Sequence, residues 1–170
     1  MLHIRKTALT ALAAIAFSAG WLAKTTAQQI PSIPLMTYFN HERVDASFAK
    51  ASASNGGRVL FSRKDSQGRT FTVNTNSRGQ ADKGELHSHE GWTAVVVVMS
   101  GAATFVTPGT AVAAKAAKTT APDELGGQSI GSGESHRISK GDVIIVPPGV
   151  PHSYKNVEEP FRYLVVQTPL

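Results

Sequence analysis

The chemistry of this chain is concentrated in three histidines. His87 and His89 lie in Gly84-Glu85-Leu86-His87-Ser88-His89, and His152 follows about sixty residues later in Pro147-Pro148-Gly149-Val150-Pro151-His152. Two histidines at i and i+2 on a strand point to the same face. Their Cα atoms lie roughly 6.5 to 7 Å apart, and both imidazoles then reach one metal ion at roughly 2.1 Å. A third histidine on a neighbouring strand adds a third nitrogen and leaves coordination positions open. Open positions separate a catalytic metal site from a structural one. The chain has no cysteine, which excludes disulfides and thiolate ligands.

Strands must aim these side chains, and the sequence predicts strands from residue 58 onward. Arg58 to Arg63 and Thr70 to Asn74 flank Asp65-Ser66-Gln67-Gly68, a hairpin signal. Glu85 to His89 reads as the strand carrying the histidine pair. Thr93 to Met99 is a continuous Val-rich run, suited to a strand buried on both faces. Ser100-Gly101 then reads as a turn into Ala102 to Thr107. Ala111 to Lys118 suits a helix by propensity but an extended edge piece by context. Thr119 to Gly133 reads as a loop, His136 to Ser139 leads into a turn, Val143 to Val146 is a buried strand, and Phe161 to Thr168 is the last. Ahead of these, Val44 and Phe48 at i, i+4 predict one short helix over Arg43 to Ala51, with Asp45 near its start. Many short strands between Gly and Pro turns predict a sandwich or barrel.

The chain opens Met1-Leu2-His3-Ile4-Arg5-Lys6, and Thr7 to Ala23 is uncharged and apolar. Thr25-Thr26-Ala27 places small residues before Gln28. This is the pattern of a secretory signal peptide cleaved after Ala27, and it predicts a periplasmic or secreted protein. Arg5, Lys6 and Lys24 leave with it, so 17 basic residues become 14 against 12 acidic ones. The mature basic residues are scattered, which argues against nucleic-acid binding. No other segment resembles a membrane span. The expected organisation is a signal peptide at 1–27, an arm and helix at 28–57, and a β domain at 58–170.

The two histidine stretches resemble the two motifs of the cupin superfamily. The second pattern, G-x5-P-x-G-x2-H-x3-N, is met in full by Gly141, Pro147, Gly149, His152 and Asn156. The first pattern, G-x5-H-x-H-x3,4-E-x6-G, is met by His87, His89 and Gly101, but its leading glycine falls at Ala81 and its glutamate at Thr93 or Ala94. The resemblance implies an all-β double-stranded β-helix, the cupin jelly-roll barrel, with one short N-terminal helix. It also implies a divalent transition metal (Fe, Mn, Ni, Cu or Zn) near the barrel centre, held by His87, His89 and His152. Without the glutamate the centre carries less negative charge, which weakens binding of hard ions.

Glu85 and Tyr154 are the catalytic candidates. On a regular strand Glu85 shares the face of His87 and His89, as a ligand or as a partner orienting an imidazole. Glu90 is the other carboxylate nearby. Tyr154 shares the inward face with His152, to bind a substrate, orient a metal-bound water or act as an acid. If position 94 faces inward, so do Val96 and Val98. Trp92 sits at the rim, Asn156 ties the loop backbone, and His136 and His41 read as surface residues.

Three function classes follow. An exported enzyme would bring a small organic substrate to the metal, with dioxygenase chemistry ahead of isomerase or lyase chemistry. A non-catalytic module would hold a small ligand or the metal. A structural protein would use exposed strands to pair. A homodimer is expected under each.

Overall fold

The computed structural model describes residues 36–53, 56–80, 84–112, 115–116 and 124–170. The signal segment expected at 1–27 and the arm at 28–34 lie outside the described residues. The architecture is that of the compact unit Tyr38–Leu170. Its elements are α1 (His41–Ala53), β1 (Gly57–Lys64), β2 (Thr70–Arg78), β3 (Leu86–His89), β4 (Trp92–Val106), β5 (Thr110–Val112), β6 (Lys115–Ala116), β7 (Glu124–Gly127), β8 (Ser129–Gly131), β9 (Ser135–Ser139), β10 (Val143–Val146) and β11 (Ser153–Pro169). Antiparallel pairing gives a six-stranded sheet in the order β1-β2-β11-β4-β10, with β9 also on β4. A smaller sheet runs β3-β7-β6, and β5 pairs β8. The expected all-β fold with one short helix is what forms.

The helix begins earlier than its apolar spacing suggests. The Asn40 side chain accepts a hydrogen bond from the Arg43 amide at 3.2 Å, so Asn40 caps α1. Phe48 and Ala51 are buried, and Ser47 and Ser52 bond Thr75 at 2.6 Å and Ser77 at 2.9 Å on β2. The helix thus covers the face of β2 that carries residues 75 and 77. Strand alternation then turns Asn74, Asn76 and Arg78 to the other face, toward the barrel interior. The β1–β2 turn forms as expected, with Asp65 Oδ1 accepting from the Gln67 and Arg69 amides, each at 2.9 Å.

Five expectations about strands change. Ser100-Gly101 is not a turn, because β4 runs unbroken through it. Gly101 has φ +72, and a Cβ there would come 2.6 Å from the Glu158 carbonyl and 2.7 Å from that of Pro160. The partner strand β11 shifts register beside it, between Lys155 and Glu158 and again up to Tyr163. The two strands bend together, which is why one glycine looks like a break in the sequence. For the same reason β11 starts at Ser153 rather than near Phe161.

The segment expected as a loop, Thr119 to Gly133, contains β7 and β8, and the residues between 117 and 123 lie outside the described residues. Thr110–Val112 is strand, in line with the extended reading of that stretch. Strand β10 forms where expected, but it is an edge rather than a buried strand. Val143 is 59% exposed and Ile145 66%. Strand β4 is buried on one face only, through Ala94, Val96 and Val98, each 1% exposed. These three pack with Phe105, Ile138, Val146, Tyr154, Phe161 and Tyr163 as the main core.

Candidate functional site

The backbone brings the two histidine stretches together. His87 and His152 form an antiparallel bridge in which each amide donates to the other's carbonyl at 2.8 Å. The Gly149 amide donates to the His89 carbonyl, also at 2.8 Å. Gly149 holds φ +75 in this approach, a conformation that favours glycine. Strand β3 is fixed on its other side by β7, which pairs His87 with Gly126 and His89 with Glu124. All three histidines therefore line one cavity of about 140 Å³.

The rings sit at graded distances. His89 and His152 have centroids 4.8 Å apart, and His87 and His152 6.2 Å. With metal–nitrogen bonds of about 2.1 Å, two ligating rings at a tetrahedral angle have centroids about 5 Å apart. His89 and His152 meet that spacing as they stand, and His87 lies wide of it. Among the described residues no group of three or more His, Cys, Asp or Glu is drawn into a ready-made ion cage.

Orientation also differs between the rings. His152 Nδ1 lies 3.0 Å from the Val150 carbonyl, which can only accept, so Nδ1 carries the proton and the lone pair is on Nε2. This is the tautomer a metal-binding imidazole needs. His89 stacks on Trp92 with centroids 3.5 Å apart and planes 18° apart. His87 Nε2 faces Arg78 Nη2 at 3.3 Å, and the guanidinium must be the donor. The donor set thus fits a three-nitrogen centre in type, and His152 also in tautomer, with His87 turned toward an arginine.

Glu85 is not at this site. Strand β3 starts at Leu86, one residue after it, and Glu85 is exposed and off the cavity wall. Gly84, at φ +68, packs against the Tyr154 carbonyl, and the regular strand that would align Glu85 with His87 begins only at Leu86. Glu90 is also exposed, with its carboxylate against Gly149. Ala94 lines the cavity where the motif would carry its glutamate, and Val96 lines it beside Ala94. His136 and His41 are exposed. Asn156, at φ 50, donates to Thr104 Oγ1 at 3.3 Å rather than to a loop backbone.

Tyr154 does face inward with His152 and lines the cavity. It is 3% exposed, inside an aromatic cluster with Phe105, Phe161 and Tyr163. Burial pushes its phenol well above the ordinary 10.0; Tyr163 adds to the rise and Arg78 opposes it. The phenol keeps its proton at neutral pH and acts as a hydrogen-bond donor.

Sequence reasoning missed the polar wall opposite the histidines. Asn74, Asn76 and Arg78 of β2 line the cavity with Tyr163, Val165 and Gln167 of β11. Asn74 Nδ2 donates to Thr72 Oγ1 and to Gln167 Oε1, each at 3.2 Å. The signal was present as polar residues at 72, 74, 76 and 78, a strand-period stripe. Such a stripe ordinarily faces water, and here α1 takes the opposite face.

A family model described as Cupin matches residues 57–169. Among solved structures, a Klebsiella pneumoniae protein with a double-stranded β-helix domain is 21% identical, with TM-score 0.52, covering 79% of this chain and 90% of its own. The lyase DddQ of Ruegeria pomeroyi is 16% identical, TM-score 0.42, over 80% of this chain and 67% of its own. The polyketide cyclase RemF of Streptomyces resistomycificus is 21% identical, TM-score 0.40, over 65% and 62%. No curated protein matches the chain. The family match spans β1 to β11 and holds both histidine stretches, and on that ground this protein belongs to the cupin family.

Proposed function

We propose that the chain is an exported single-domain cupin that binds one divalent transition metal through His87, His89 and His152 and acts on a small organic molecule by dioxygenase-type chemistry. The observation that carries this reading is the reciprocal backbone bridge between His87 and His152, which sets three imidazoles around one cavity. His89, His152 and His87 would hold the ion, with His87 the one whose Nε2 now faces Arg78. A bound Fe, Mn, Ni, Cu or Zn ion supplies a Lewis acid and, for the redox-active members, a one-electron couple. The chain's own residues do the rest. Ala94, Val96 and Val165 give the cavity an apolar stretch of wall. Tyr154 donates its proton in a hydrogen bond to a substrate oxygen and does not act as a base.

A non-catalytic binding role is favoured by a different observation. Arg78 engages the Nε2 that His87 would give to a metal, and Ala94 supplies no carboxylate to offset the ion's charge. Oxygen uptake by metal-loaded protein with catechols, flavonols and diketones separates the two. Uptake above the His152→Ala background supports the enzyme, and none with any of them leaves the binder.

Export rests on the segment ending at Ala27, and N-terminal sequencing of the exported protein is expected to begin at Gln28. A start at Met1 contradicts it. The homodimer rests on edge strand β10, where Val143 and Ile145 are exposed beside half-buried Val95 and Val97 of β4. Light scattering should give a dimer for the mature chain and a monomer for Ile145→Glu. A wild-type monomer removes the dimer.

A further inference from the structure

We propose that the cavity takes a small uncharged ligand through two hydroxyl groups on adjacent carbons, and that Asn74 and Gln167 are the residues that hold this vicinal diol. This rests on the reading of the cavity as a ligand site and names the ligand's class.

The two carboxamides are tied to each other, and the tie fixes what they leave over. Asn74 Nδ2 donates to Gln167 Oε1 and to Thr72 Oγ1, each at 3.2 Å, and the Thr72 hydroxyl donates in turn to Gln167 Oε1. Nδ2 has two hydrogens and two acceptors, and Oε1 has two donors. Asn74 Oδ1 and Gln167 Nε2 have no hydrogen bond among the described residues. The wall therefore offers one acceptor and one donor group, on two side chains joined by a hydrogen bond. Rotating both amides by a half turn would exchange these roles and leave the same complement.

That complement selects a hydroxyl pair. A carboxylate only accepts and an ammonium only donates, so either leaves half of the wall unmatched. A hydroxyl does both. On adjacent carbons, one hydroxyl donates to the acceptor while the next accepts from the donor. The cis edge of a ligand amide suits one carboxamide with both atoms to offer, and Asn74 and Gln167 have each committed one. Asn76, one rung along, sets its Oδ1 against Gly57 of the edge strand β1, where a Cβ would come 2.6 Å from it. Arg78 is committed as well. Its Nε donates to Tyr163 Oη at 2.8 Å and its Nη2 faces His87 Nε2 at 3.3 Å, so it takes no part in holding the diol. Among the described residues that line the cavity there is no Asp or Glu, and a cationic ligand would enter without a counter-charge.

Sheet register sets the orientation. Gln167 pairs with Thr72 on one side and Ala94 on the other, and Val165 with Asn74 and Val96. The hydroxyls lie at the Asn74 and Gln167 end, and the carbon skeleton lies on Ala94, Val96 and Val165. Trp92 is two residues from Ala94, on the same strand face, and borders the same end of the cavity. The volume of about 140 Å³ limits the skeleton, since a void of about 150 Å³ accommodates a benzene-sized molecule.

The mature chain provides its own reporter. Of the two tryptophans, Trp21 lies in the signal segment, so Trp92 is the one left in a chain that starts at Gln28. In EDTA, cis-1,2-cyclopentanediol should bind saturably, read by Trp92 fluorescence and by calorimetry. Cyclopentanol, with one hydroxyl, and cis-1,3-cyclopentanediol, with the two set further apart, should bind at least about tenfold more weakly. Gln167→Met, which keeps the length and removes the donor, should bring the 1,2-diol down to the level of cyclopentanol. Thermal unfolding checks that the variant folds, and the comparison of the three alcohols in the unaltered chain stands even if it does not. Equal binding of the three alcohols, no binding of the 1,2-diol, or an undiminished preference in a folded Gln167→Met chain overturns the proposal. Zinc titration reads the histidines separately. Zinc binding without a preference for the 1,2-diol overturns this inference alone, and that preference without zinc binding overturns the metal reading alone.

Discussion

The two histidine stretches build the same site by different means. In the second, the chain orients its own histidine: the Val150 carbonyl, two residues from His152, fixes the imidazole tautomer, and the ring is 4% exposed. In the first, side chains from other positions hold the rings: Trp92 stacks on His89, and Arg78 faces His87. The second stretch supplies a tautomer-fixing carbonyl from within, with Phe105 of β4 stacked on the ring at 5.6 Å, whereas Trp92 and Arg78 meet the rings of the first.

The largest effect should separate the best-oriented histidine from the worst. His152→Ala should weaken zinc binding by about a hundredfold or more, and His87→Ala by only about tenfold, both read by calorimetric titration. Equal losses would mean that the Arg78 contact does not compromise His87, and the contrast between the two stretches would disappear.

Glycines offer a second contrast, read as stability. Gly101 of the first motif and Gly141 of the second both hold positive φ, +72 and +96. A Cβ at Gly101 would strike the Glu158 and Pro160 carbonyls, whereas nothing lies within 4 Å of one at Gly141. Gly101→Ala should cost about 2 kcal/mol or more through backbone strain plus overpacking. Gly141→Ala should cost about 1 kcal/mol through strain alone. Urea unfolding checks both, and equal costs would show that β4 and β11 can part at Gly101.

Most of the frame was legible before the fold was known, because strand alternation and Gly/Pro turns are local signals. The histidine positions were legible because a motif fixes them by spacing. Three things were not. Alternation on β2 separates its two faces but does not say which one is interior; that is decided by α1, which covers Thr75 and Ser77. Arg78 was hidden for this reason. Glu85 looked like a ligand because the strand was begun one residue too early, at Glu85 rather than Leu86. Ser100-Gly101 looked like a turn because a glycine that bends two paired strands and one that ends a strand look alike in sequence.

A further substitution repairs the first motif. Ala94→Glu places a carboxylate on the cavity wall and should tighten manganese binding by about tenfold. Unchanged manganese affinity would mean that position 94 does not reach the ion.

The central claim is that His87, His89 and His152 form one metal centre. The direct measurement is the metal content of the untagged mature chain after growth with Fe, Mn, Ni, Cu and Zn, beside His152→Ala treated identically. Near one ion per chain is expected, lost in the folded variant. Fewer than about one ion per ten chains in the unaltered protein, or equal content in both, would contradict it.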